Sequence, residues 1–408
     1  MWPFVRELEW VARQRERMER LVRDWASIPS QSHDVEGLTA MAGALESSFA
    51  ALGAVELVEL PPATEIDGGG RPAERPLGRA LRITKRPAAS RRVFLGGHMD
   101  TVHARAQAPP LELLAGGRLR GPGVADAKGG LVVLRIALEA LERSAVAGGI
   151  GWEIVINPDE ELGSPGSGAL IQEVGRNTGL GLVFEPAFAD GALVGARKGS
   201  GYFTAVVRGR AAHVGRDFAA GRSAVAAAAR LAVALDRLNG SRRGAIVNVG
   251  KISGGGALNV VPDLAIAGFN VRCDGADDQV ELEREIAAIV AAERDYGLEV
   301  ELHGHFSAPP KPLDEPTSGL LRAIAACGRD LGIEITWRAT GGVSDGNRLA
   351  AAGVTTVDTL GPCGGEIHSP GEYLMLDSLV ERARLVALVL LRLAAGDIAC
   401  PSPRREPK

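Results

Sequence analysis

The stretch Arg91-Arg92-Val93-Phe94-Leu95-Gly96-Gly97-His98-Met99-Asp100 decides how the chain is read. Val93 to Leu95 is a short apolar run of the buried-strand type. Two glycines follow, then a His and an Asp two residues apart. In extended chain, residues i and i+2 point to the same side. Asp100 is therefore placed to accept one ring N–H of His98 and to leave the other nitrogen for a metal. Such a carboxylate fixes the tautomer and makes the imidazole a better ligand. Alone, a His-x-Asp at a strand end is an ordinary polar turn. The acidic residues at later strand ends change that reading.

Moving outward, the same order of strand, polar turn and helix recurs. Asp126-Ala127-Lys128-Gly129-Gly130 precedes a strong helix over 131–142. A buried strand over 152–156 runs into Pro158-Asp159-Glu160-Glu161, and a shorter one over 180–184 ends in Glu185-Pro186. Strands alternating with helices predict an α/β catalytic domain with a central, mostly parallel sheet. In such sheets ligands bind beyond the carboxyl ends of the strands, where these acids fall. Upstream, helical spacing predicts one helix over 3–27 and another over 35–52. After Arg197 the pattern becomes strand, helix, strand, strand, helix, strand in about 110 residues, a ferredoxin-like α+β unit. It reads as a domain inserted into the first, dividing the chain into 1–196, 197–306 and 307–408. The α/β pattern then resumes with a helix over 319–331, a strand over 333–337, a helix over 345–351, a strand over 354–358 and a last helix from Asp377.

A chain of 408 residues is long for one core and fits two domains. The formal net charge of −4 is spread along it, which gives no reason to expect nucleic-acid or anionic-membrane binding. Four cysteines, Cys273, Cys327, Cys363 and Cys400, lie far apart. That spacing argues against a thiolate zinc site and a disulfide framework, and suits a reducing cytoplasm. Arg and Glu recur through 6–24, so no signal-peptide core is present there. Nothing approaches the roughly 18 uninterrupted apolar residues of a membrane span.

Any metal must therefore use His and carboxylates. The candidate ligands are His98, Asp126, Glu161, Glu185 and His368, each at a strand end or in a Gly/Pro-rich turn. Two His and three carboxylates suit Zn²⁺ or a similar divalent ion. Three carboxylates carry about −3 and two such ions about +4, leaving about +1 for a hydroxide, so one carboxylate must bridge. Asp126, in the tightest turn, is the candidate. Glu160 and Glu161 are neighbours and point in different directions, so one can bind metal while the other stays free as a base. A base beside a metal-activated water is the working pair of metal-assisted hydrolysis.

Gly97-His98-Met99-Asp100-Thr101-Val102, Gly123-x-x-Asp126-x-Lys128-Gly129-Gly130, Asp159-Glu160-Glu161-x-Gly163-Ser164, Glu185-Pro186 and His368-Ser369-Pro370-Gly371 together resemble the zinc aminoacylase/carboxypeptidase family. The resemblance spans about residues 20 to 395, and the order of five motifs is specific where any one is weak. It implies two zinc ions, with cobalt or manganese as substitutes. His98, Asp126 and Glu185 would hold one; Asp126, Glu161 and His368 would hold the other. Glu160 would be the general base and Asp100 the partner of His98. Ala212-His213-Val214-Gly215 resembles the segment whose His213 reaches the partner subunit's site in a homodimer and stabilises the oxyanion. That role makes the inserted unit a lid and dimerisation domain. Asn259 and Arg272 resemble residues that bind the substrate carboxylate, and Gly342 and Ser344 lie in a segment resembling the turn that lines the specificity pocket. Pro122 and Ala127 depart from the usual residues beside the bridging Asp, which bears on substrate preference.

The expected activity is cleavage of an amide next to a free carboxylate, as in a glutamate carboxypeptidase. The alternative is an N-acyl amino-acid deacylase of the acetylornithine or desuccinylase type. Either acts on a small N-acyl amino acid or peptide. A dinuclear phosphoesterase would place Arg or Lys beside the metals, and Lys128 is instead placed to start a helix. A metal-stabilised binding protein without chemistry would be expected to lack Glu160.

Overall fold

The computed structural model describes residues 4–240 and 244–401. Its central sheet has six strands, in the order Ala54–Val58, Ala80–Lys85, Gly151–Asn157, Arg92–His98, Leu180–Val183 and Thr355–Val357. The last four run parallel; the first two are antiparallel to their neighbours. The sheet is thus mixed, and its parallel half holds the strands whose ends carry the acids.

Strand Arg92–His98 is buried from Val93 onward. Val93 and Leu95 enter a large core with Leu131, Leu134 and Leu138 of helix Gly130–Glu142 and Leu385 and Leu388 of helix Leu376–Ala395. Phe94 points the other way, into a smaller cluster with Val155, Ile171, Val174 and Leu349. Alternate side chains of one strand therefore feed two cores, which is why the run is apolar without a break. Helix Gly130–Glu142 starts hard against the sheet: a Cβ on Gly130 would lie 1.9 Å from the carbonyl oxygen of Phe184. That close approach sets the preceding turn, with Asp126, beside Glu185.

The first predicted helix is two, Val5–Ala12 and Arg15–Ala26, with no Gly or Pro marking the break. The strand expected over 333–337 runs instead over Trp337–Thr340 and pairs in parallel with Leu193–Arg197, outside the central sheet. It is half-exposed and polar, so no apolar run marks it.

A second sheet has the order Ile246–Gly254, Leu264–Cys273, Gly199–Arg208, Glu299–Ala308, antiparallel throughout. Leu264–Cys273 alternates half-buried and buried residues along its length. Its buried face packs under helices Ala224–Asp236 and Ala276–Ala292 in a separate core built on Phe203, Phe269, Leu231, Leu282 and Ile286. Phe203 stacks on Phe269 with centroids 5.4 Å apart. The chain enters and leaves this sheet side by side: Arg197 N–H donates to Lys311 O (2.9 Å) and Lys311 N–H to Arg197 O (3.0 Å). Their side chains meet the buried carboxylate of Asp358 at 3.0 and 3.4 Å. Among the described residues, no helix is long and apolar enough to cross a membrane.

Candidate metal and active site

Strands Gly151–Asn157, Arg92–His98 and Leu180–Val183 are parallel neighbours, so their carboxyl ends open on one edge. His98 ends the middle strand, Glu160 and Glu161 follow the first within a single turn, and Glu185 follows the third. Asp126 joins them from the turn before helix Gly130–Glu142. His368 comes from a distant loop in which Glu366 (φ 53°) and His368 (φ 63°) take the left-handed backbone that non-glycine residues seldom adopt. Such strain concentrates at functional sites.

The structure brings all five sequence-selected ligands together. His98 Nε2 lies 2.9 Å from Asp126 Oδ1 and 3.7 Å from Glu185 Oε2. His368 Nε2 lies 3.0 Å from Glu161 Oε2 and 3.4 Å from Asp126 Oδ2. Asp126 thus divides its two oxygens between the two histidines. Ligand atoms of His98, Asp126 and Glu161 all fall within 4.8 Å of one another. His98 Nδ1 faces the carbonyl oxygen of Asp100 at 3.0 Å and its Oδ1 at 3.3 Å. The Asp100 carboxylate also accepts from the Ser32 hydroxyl (2.7 Å) and from the backbone N–H of Glu160 (3.2 Å) and Glu161 (3.1 Å). One buried carboxylate therefore orients His98 and holds the Glu160-Glu161 turn against it.

The electrostatics are those of a site short of positive charge. Burial, then the neighbouring Glu185, Asp345 and Glu161, push the Glu160 carboxyl well above the usual range. Burial and Asp126 raise Glu161 to about 7, and burial raises Glu185. Burial opposes a charged His98, yet Glu185, Asp100 and Asp126 hold its pKa well up. Hydrogen bonds to Asp126 and Glu161 lift His368 to about 11. Buried carboxylates competing for two imidazoles are the environment a divalent cation relieves. His and carboxylate donors also fit Zn²⁺ in kind. Among the described residues, no hydrogen bond or ion pair engages the Glu160 carboxylate. Lys128 is buried, and its Nζ donates to Ile28 O at 2.8 Å.

The other selected residues lie elsewhere. His213 is exposed, and its Nδ1 accepts the Gly215 N–H at 3.1 Å. Ala212–His213 pairs with Val260–Val261, and Val214 N–H donates to Asn259 O (3.0 Å), so His213 and Asn259 are neighbours. No hydrogen bond joins either to the ligand cluster among the described residues. Arg272 reaches out of the second sheet to Gly341 O (3.3 Å), with its Nε held by Asn270 Oδ1 (2.9 Å). Arg197 donates to Gly342 O at 3.1 Å. The Ser344 hydroxyl is engaged as a helix cap, accepting the Gly346 N–H at 3.1 Å.

Several groups at the site are given no functional role by the sequence reading: Ser32, Arg197, Asp345, His103 and Glu372. Asp345 accepts from Ser164 Oγ (2.6 Å) and Asn157 Nδ2 (3.0 Å). It directly follows Ser344 of the segment that resembles the pocket turn, and Glu372 follows His368 by four positions, so both carried a local signal. Ser32 and Arg197 carried none.

Residues 94–392 match the family model described as peptidase family M20/M25/M40. Carboxypeptidase G2 of Pseudomonas sp. (strain RS-16) is 28% identical over 313 residues, covering 74% of each chain. The succinyl-diaminopimelate desuccinylase of Hahella chejuensis is 27% identical over 373 residues, covering 83% of this chain and 95% of its own. A tripeptidase from Staphylococcus aureus superposes with a TM-score of 0.73 at 21% identity, over 93% of this chain and 99% of its own, a likeness of fold. A family match over most of the length, on a fold shared over 93% of the chain, places the chain in peptidase family M20/M25/M40 as a metal-dependent peptidase or amidohydrolase.

Proposed function

We propose that the protein is a dinuclear zinc hydrolase that cleaves an amide bond next to a free carboxylate, in the manner of a carboxypeptidase. The observation that carries this reading is the division of the Asp126 oxygens between His98 and His368, with no hydrogen bond or ion pair on the Glu160 carboxylate among the described residues. His98, Asp126 and Glu185 would hold one ion, and Asp126, Glu161 and His368 the other. Bound there, such ions polarise a carbonyl and bring the pKa of water to about 7. Asp100 keeps His98 oriented and fixes the turn that presents Glu160. Glu160 takes a proton from the attacking water and returns it to the leaving nitrogen.

Arg272 and Asn259 hold the substrate carboxylate, and Gly342 and Ser344 belong to the turn that shapes the pocket. Arg supplies a charge-assisted fork for a carboxylate. His213 stabilises the oxyanion of the partner subunit's site, so the working form is a homodimer. Residues 197–306 are the inserted lid and dimerisation domain between 1–196 and 307–408. The outer strand Ile246–Gly254 supports this, because it exposes Ile246 and Ile252 and pairs with no further strand on its outer edge among the described residues. The protein works in the cytoplasm. The desuccinylase likeness supports a second reading, an N-acyl amino-acid deacylase with the same chemistry.

A hydrolysis panel of dipeptides and N-acyl amino acids, with added Zn²⁺, Co²⁺ or Mn²⁺, separates the two readings. Elemental analysis of the zinc-loaded protein is expected to find about two ions per chain, since five ligands with one bridge form two sites. Active, folded protein holding less than one ion per chain overturns the dinuclear centre.

A further inference from the structure

Glu372 is 1% exposed, and its carboxylate has four hydrogen-bond partners. Oε1 accepts the backbone N–H of Ala125 (3.0 Å) and of Asp126 (3.1 Å). Oε2 accepts the N–H of Gly123 (3.1 Å) and pairs with His103 Nε2 (2.8 Å). A buried carboxylate is costly unless it is fully hydrogen-bonded. Here the bonds that satisfy it are three amides of a single turn, the turn that presents Asp126. The backbone repeats the link: Gly121 N–H donates to Glu372 O (3.2 Å), and Tyr373 pairs with Arg120. His103, itself buried, holds the carboxylate through Oε2.

We infer that Glu372, held by His103, is a positioning residue that sets the orientation of Asp126. This rests on the proposed metal centre. Among the described residues, Glu372 forms no hydrogen bond or ion pair with any of the five ligand side chains and acts through the turn. Asp126 faces His98 with one oxygen and His368 with the other, so a rotation of its turn disturbs both halves of the centre at once. Loss of Glu372 is therefore expected to weaken both ions together. Loss of Glu185, assigned to one half, is expected to weaken one.

The test is metal affinity and stoichiometry by chelator competition on the full-length protein. The visible absorption of the cobalt-loaded form reports ligand geometry, and thermal midpoints in excess chelator report the fold. Glu372→Ala is expected to lower affinity at both sites by about 10–100-fold, the usual cost of losing a group that orients ligands. It should also alter the cobalt spectrum. Glu372→Gln keeps an oxygen for the Ala125 and Asp126 amides but turns its NH2 toward the Gly123 N–H and His103 Nε2, so it should restore only part of that affinity. If Glu372→Ala does not fold, Glu372→Gln and His103→Gln decide the matter, each with a smaller loss shared by both ions. Variants that fold and bind both ions with wild-type affinity and spectrum overturn the inference while leaving the metal centre intact. So does a lowered thermal midpoint in chelator with unchanged affinity, which marks a merely structural role. Wild-type protein that takes up no metal overturns the metal centre, and the inference falls with it.

Discussion

Asp126 offers its two carboxylate oxygens to two histidines that are 270 positions apart in the chain, His98 and His368. Glu160 and Glu161 stand beside it as chemical equals, and their surroundings separate them. Glu161 lies 3.0 Å from His368, whereas no donor engages the Glu160 carboxylate among the described residues. On the proposed assignment, Glu160→Gln retains both metals and the fold while kcat falls by about 10²–10⁴, the usual worth of a general acid–base group. Glu161→Gln loses one metal. Metal analysis beside steady-state kinetics checks the pair, and the opposite pattern reverses the two roles. At this scale the motif residues were legible because ligands and bases must be particular residue types at strand ends. Ser32 was not: it reaches Asp100 across 68 positions, and a lone serine in a turn has no distinguishing neighbour.

Helix Gly130–Glu142 is pinned at both ends, by Gly130 against Phe184 and by Glu142 against Arg86 and Trp152. Burial alone would raise the Glu142 carboxyl. Arg86, donating at 2.8 and 2.6 Å, and the Trp152 indole at 2.8 Å hold it below the ordinary value of 4.5. A depressed carboxyl stabilises the fold above its unfolded pKa, and that contribution is lost as pH falls through the folded one. Urea midpoints of wild type and Glu142→Gln should therefore differ most near about pH 6 and converge toward about pH 3. Parallel curves would remove Glu142 from the acid sensitivity of the fold. The second sheet offers a matching test, since Arg272 crosses from it to Gly341. If Arg272 reads the substrate carboxylate, wild type prefers a free acid over its amide, and Arg272→Ala loses at least about tenfold of that preference in kcat/KM. Equal rates on both substrates in the wild type would end the role. Elements with an apolar period were legible. Trp337–Thr340 was not, because a polar, half-exposed strand has no period to read.

For the whole molecule, the proposed role of His213 joins it to a ligand cluster with which it shares no hydrogen bond among the described residues. A two-fold dimer would let each chain complete its partner's site. Mixing Glu160→Ala with His213→Ala under subunit exchange tests this. Random pairing makes half the dimers mixed, and half of their sites would hold Glu160 from one chain and His213 from the other. Roughly a quarter of wild-type activity should return. A mixture as inactive as its parents, or full activity in a monomer, rules out action across the interface.

From the sequence alone came the α/β class, the second α+β pattern after Arg197 and the five ligand candidates. Each rests on something local: the period of apolar residues, or a chemically demanding residue at the end of a run. The tertiary structure decided that the sheet is mixed, that three parallel strands bring His98, Glu161 and Glu185 to one edge, and that Asp126 lies between two histidines. It also decided what supports them, Ser32 on Asp100 and Glu372 on the Asp126 turn. Such contacts join residues 68 to 249 positions apart, and a hydrogen bond across that separation leaves no periodicity in the chain to read.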